Sequence, residues 1–291
     1  MAALLDAVFN LIKQEYAKKE PTWKRITLPK TDLAFLQKEC ATPSDFDPRN
    51  VRNGLLQKMM QGKSKEVTMT CEYGQVCAIF DNEQQKSDLP WRLWGRILRL
   101  YTEKKQNNSH TPHKPFKIFF LANTHLRQFP KQHESIQPIH INGGYTYPCN
   151  HETIIIYRAE DATRVLLHEL QHSCCLDHQR DGVDRVEAET EAWAELLYVG
   201  FLSQGNPRQF KTLLQTQSDW IRCQNENVRK HIRESKQFPW RYTVGKEAVW
   251  QRWNILQSLS ARNACASLRL TFPPNNVLKK QFGVSSISTM L

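Results

Sequence analysis

The chain has 291 residues, of which 40% are hydrophobic and 24% charged, with a formal net charge of +11. That is the profile of a globular protein with room for one sizeable core or a core plus a lobe. No apolar run reaches the roughly 18 residues of a membrane-spanning helix. Lys and Arg are spread along the chain, which reads as solvated helix faces more than as a dedicated nucleic-acid surface, while the excess of positive charge favours acidic partners of some kind.

At the start, Leu5, Val8, Phe9, Ile12 and Tyr16 recur at helical spacing, while Asp6, Lys13, Gln14 and Glu15 interrupt any continuous apolar run. This reads as an amphipathic helix packed on the body, not as a secretion signal. The eight cysteines form no CxxC pair. Without a visible signal, the expectation is a reduced, intracellular chain in the cytoplasm.

Residues 1–63 read as an N-terminal helical segment broken at Pro21, Pro29, Pro43 and Pro48. Residues 67–80 alternate around Tyr73-Gly74, the pattern of a hairpin. In 91–105, Trp91, Trp94, Ile97, Leu98 and Tyr101 make a helical stripe with a basic opposite side. Residues 117–123 (KIFFLAN) and 152–158 (ETIIIYR) are apolar strand candidates. Between them runs a long connection in which Gly143-Gly144 predicts a sharp turn.

Asp161 occupies a helix N-cap position, and a helix is expected from there to 174. Long helices are expected over 184–204 and 207–233, and further helix over 245–270. The tail at 273–291 is expected to be loosely attached. The order predicts an α+β fold, with a small mixed or antiparallel sheet, an active-site helix and a helical C-terminal lobe within 64–272.

The string His168-Glu169-Leu170-Gln171-His172 carries the chemistry. Two histidines four apart project from one helix face, so their imidazoles can meet one ion. A glutamate beside the first can act on the water bound to that ion. Val165, Leu166, Leu167 and Leu170 mark the buried side of the same helix.

These residues resemble the zincin metallopeptidases. The resemblance implies a Zn2+ cofactor, a peptide or protein substrate, and a zinc-activated water with Glu169 as general base. It also implies that the strand just before the helix, 152–158, lies at the sheet edge and holds substrate. Glu191 completes the HExxH-x18-E spacing of the gluzincins, and the string Glu191-Ala192-Trp193-Ala194-Glu195 is similar to their second motif. Glu195 would then orient His168, and small residues beside Glu191 would let the two helices approach.

Two rivals for the third ligand stay open. His178 completes the HExxHxxxxxH spacing of the metzincins, although Cys175 stands where that pattern has Gly and no Met-turn is visible. Glu187 lies one turn before Glu191. Tyr198, His231, Arg241 and Tyr242 are candidate oxyanion donors, while Trp193, Cys174 and Cys175 read as packing residues. Two other functions compete: a non-catalytic, zinc-stabilised interaction module, and a basic nucleic-acid-binding protein that would use the aromatic and basic residues of 91–105.

Overall fold

The computed structural model describes residues 2–45, 47–81, 89–106, 114–132, 134–177, 181–232, 238–256, 265–285 and 288–291. Helix α1 (Ala2–Ala17) is followed by β1 (Lys24–Ile26), α2 (Lys30–Ala41) and α3 (Val51–Met60). The hairpin of β2 (Lys65–Cys71) and β3 (Gly74–Phe80) leads into α4 (Trp91–Gln106) and β4 (Phe116–Ala122). Then come α5 (Pro138–Ile141), β5 (Gly144–Thr146), β6 (Ile154–Ile156) and α6 (Ala162–Ser173). Helices α7 (Val183–Leu202), α8 (Pro207–His231), α9 (Phe238–Tyr242), α10 (Val244–Arg252) and α11 (Asn276–Gln281) follow. The class is mixed α and β, in accord with the expected α+β content.

The chain folds as two compact units. One comprises 20–125, 142–175 and 274–291; the other comprises 1–19, 126–141 and 176–273.

The first unit holds a six-stranded sheet in the order β1-β2-β3-β4-β6-β5. β1, β2 and β3 are antiparallel; β3, β4 and β6 are parallel; β5 returns antiparallel to β6. Helices cover both faces, and this explains why 117–123 and 154–156 read as continuous apolar runs, not alternating ones. On one face, Leu36, Cys40, Leu55 and Leu56 of α2 and α3 pack on Cys77, Ile79, Phe119, Leu121 and Ile155. On the other, Trp94 of α4 meets Phe120 at 5.7 Å between ring centroids. The stripe expected in α4 is therefore core: Trp94, Ile97, Leu98 and Tyr101 are all buried. Those rings are unavailable for stacking on bases.

Two expectations are corrected here. The strand before α6 is not the sheet edge, because β5 lies outside it. Gly144 belongs to β5 and is there for close approach, not for a sharp turn. A Cβ on it would fall 2.6 Å from Val165 Cγ1 and 2.9 Å from the Ile155 carbonyl oxygen.

The C-terminal segment, expected to be loose, is also tied down. Met290 and Leu291 are buried. The Asp161 N–H donates to the Thr289 carbonyl and the Thr163 N–H to that of Met290, at 3.0 and 3.1 Å. Backbone carbonyls of this segment thus satisfy N–H groups at the start of α6, where no intrahelical partner exists. Asp161 does occupy the cap position, but in a left-handed conformation (φ 61°) and without a side-chain capping bond.

The second unit is helical. α7 packs against α1, α8, α9 and α10. Its small residues make this possible: a Cβ on Gly200 would fall 3.0 Å from Ile12 Cγ1, and Trp250 Nε1 donates to the Ala192 carbonyl at 3.0 Å. A Cβ on Gly245 of α10 would likewise fall 3.0 Å from Ala188 Cβ. Helix was expected over 245–270, yet after α10 the described residues 265–273 are non-helical. Gln224 and Trp220 of α8 donate to the Arg269 carbonyl at 2.6 and 2.9 Å. Cys223 is bonded to Cys265 along the same seam.

Candidate metal centre

α6 brings His168, Glu169 and His172 together on a helix held from its own unit. Trp94 Nε1 donates to Thr163 Oγ1 at 2.9 Å, and that hydroxyl donates to the Met290 carbonyl at 2.7 Å. One turn on, the Tyr101 hydroxyl donates to the Leu167 carbonyl at 3.2 Å and accepts from Gln171 Nε2 at 2.9 Å. Burial pushes the Tyr101 phenol well above its ordinary range, so it serves here as a neutral donor.

The Nε2 atoms of His168 and His172 stand 3.0 Å apart, with ring centroids at 4.7 Å and planes inclined at 73°. Two nitrogens bound to one tetrahedral zinc at 2.0–2.1 Å are separated by about 3.3 Å. The pair fits a shared ion with a small adjustment of either ring. His168 and Glu169 are buried and His172 is half-buried, so the pair opens outward at its second member. Glu169 Oε1 lies 3.3 Å from where a Cβ of Gly144 would be, which sets its carboxylate against the backbone of β5.

The end of α6 is bound to the loop between β5 and β6. The N–H groups of Cys149 and Cys175 both donate to the His172 carbonyl, at 3.0 and 3.1 Å. Cys149 and Cys175 are disulfide-bonded, and both adopt left-handed backbone, with φ of 62° and 54°. That conformation costs a non-glycine residue about 1–2 kcal/mol. Cys175 thus takes the turn for which glycine was expected in the metzincin pattern. The expectation of a wholly reduced chain is corrected: four of the eight cysteines are in disulfides.

In the helical unit, Glu191 and Glu195 of α7 are buried and Glu187 is half-buried. Glu195 Oε1 is engaged by Lys246 Nζ at 2.8 Å, with both side chains fully buried, and Lys246 also donates to the Leu270 carbonyl at 3.0 Å. Glu195 was expected to orient a histidine; its partner within this unit is a lysine that no sequence pattern marked. Of the expected oxyanion donors, His231 stacks on Phe129 and bonds the Glu134 carbonyl, and Arg241 pairs with Asp184 at 2.8 Å. Tyr198 is fully buried near Phe272, and Tyr242 lies against Phe238. Trp193 packs on Trp253. His178 lies outside the described residues.

Comparison with protein-family models, with curated proteins and with solved structures found no match. Among the described residues no helix is long and apolar enough to cross a membrane.

Proposed function

We propose that this chain is a zinc-dependent hydrolase acting on peptide bonds, with His168 and His172 as metal ligands and Glu169 as general base. The observation that carries the reading is the 3.0 Å approach of the two Nε2 atoms on a helix that also holds a buried carboxylate between them. A structural metal site has no use for that carboxylate.

When bound, zinc would lower the pKa of its water and polarise a carbonyl. Glu169 takes the proton of the attacking water and delivers it to the leaving amine. β5 ends the sheet, so its outer side offers backbone donors and acceptors to an extended peptide beside Glu169.

Glu191 is the proposed third ligand, supported by its gluzincin spacing and its burial. Glu187 is the alternative one turn earlier. A second reading takes His178 instead, favoured by the left-handed turn at Cys175.

The test uses the full chain, assayed for bound metal and for cleavage of a peptide library with and without chelator. Glu169→Gln should keep its metal and lose about a hundredfold or more in turnover. His168→Ala and His172→Ala should lose the metal. Among Glu191→Gln, Glu187→Gln and His178→Asn, the true ligand is the one whose loss weakens metal binding most. Full activity in Glu169→Gln would sink the assignment of the base, and metal retained without cleavage by the wild type would favour an interaction module.

A further inference from the structure

We infer that the Cys149–Cys175 disulfide is a reducible clamp on His172, through which a dithiol reductant lowers the metal affinity of the centre. The inference rests on the metal reading above and adds its regulation.

His172 lies in the last turn of α6, where backbone carbonyls have no intrahelical partner. Its carbonyl accepts from the N–H groups of both bridged cysteines, alongside that of the helix-capping Cys174. The disulfide therefore joins the loop donor, Cys149, to the turn donor, Cys175, at the ligand. Both cysteines also sit in left-handed backbone, a conformation that needs an outside restraint in a residue with a Cβ. His168 is one turn further in and buried, with α4 bonded to the helix on either side of it at Thr163, Leu167 and Gln171. The clamp acts on one ligand and leaves the other in place.

Access separates this bridge from the other one. Cys149 and Cys175 are both exposed, whereas Cys223 and Cys265 are half-buried against α8. Exposed disulfides are the labile ones. A dithiol attacks one sulfur of the bridge and forms a mixed disulfide, and its second thiol then closes on the first. The reductant leaves as a disulfide, having supplied two electrons and two protons, and Cys149 and Cys175 are left as thiols. The 147–151 loop is then no longer covalently joined to the end of α6.

The test is zinc binding by the full chain, measured by chelator competition before and after reduction with a water-soluble phosphine, which brings no competing thiol. Circular dichroism on the same samples checks that the fold persists. Loss of a positioning contact around a metal ligand weakens binding about 10–100-fold, and a drop of at least tenfold on reduction is expected. The Cys149→Ser/Cys175→Ser variant should bind at the reduced level and not respond to the phosphine. The Cys223→Ser/Cys265→Ser variant should still respond like the wild type.

Equal affinity in the oxidised and reduced wild type would overturn the clamp while leaving the metal site standing. So would a Cys149→Ser/Cys175→Ser variant that still responds to reduction. Absence of zinc binding in both redox states would instead overturn the metal reading, and the clamp with it.

Discussion

Gly144 and Glu169 are in such close register that a single methyl group on the glycine would reach 3.3 Å from the carboxylate oxygen. The same methyl would fall 2.9 Å from the backbone oxygen of Ile155 on the neighbouring strand, which cannot rotate away. Gly144→Ala should therefore destabilise the sheet edge by about 1–3 kcal/mol, the usual cost of overpacking. Urea unfolding measures this. Under the proposed function the variant should also lose turnover more than metal binding, since Glu169 and β5 move while the histidines stay.

The Lys246–Glu195 pair makes a second prediction. Both side chains are fully buried, so neither has water to fall back on. Lys246→Met removes the cation and leaves a carboxylate in the core, which should cost about 3–5 kcal/mol. Adding Glu195→Leu removes the buried carboxylate as well and should recover most of the loss. A double variant as unstable as the single one would argue that the pair is held for the bond to the Leu270 carbonyl instead. Denaturant unfolding of the three proteins separates the cases.

Alkaline pH should weaken the sheet-bearing unit. Burial pushes the Cys77 and Cys40 thiols up to about 12 from an ordinary value of 9. The folded state then holds these protons where the unfolded chain has released them. With a folded value above the unfolded one, their contribution is complete below pH 9 and is lost as pH rises toward 12. Unfolding free energy should fall across that window. Cys77→Ala, which removes the titrating proton without overfilling the site, should flatten the fall.

At the start of α6, Thr163→Val removes the hydroxyl that accepts from Trp94 Nε1 and donates to the Met290 carbonyl. The Trp94 indole N–H loses its buried acceptor, which costs about 1–3 kcal/mol, while the Met290 carbonyl keeps the backbone N–H of residue 163. The measured change should lie well above that of an exposed threonine such as Thr212, whose hydroxyl bonds only within its own helix.

What could be read in advance follows the range of the signal. The histidines and glutamate of α6 lie within five residues, and the helix that carries them is apolar on its buried side, so local spacing revealed them. β4 and β6 were legible because burial on both faces makes their sequences uniformly apolar. β1 and β5 were missed, since three residues at a sheet edge are too few to alternate. Residues 265–270 were misread as helix, although Leu268, Leu270 and then Phe272 alternate with period two, as an extended segment does. Lys246 gave no sign, because a lysine in a helix ordinarily faces water. The partner of Cys175 was equally hidden: cysteine spacing does not encode connectivity.

The two units are interleaved along the chain, which passes between them at 19/20, 125/126, 141/142, 175/176 and 273/274. Neither is a single contiguous stretch of the chain. A single cut anywhere between residues 20 and 273 divides both units between the two pieces, and β1 and the segment that finishes the start of α6 are far apart along the chain. Limited proteolysis should accordingly leave nicked molecules whose pieces stay together until denaturant is added, in contrast to proteins whose domains follow one another like beads.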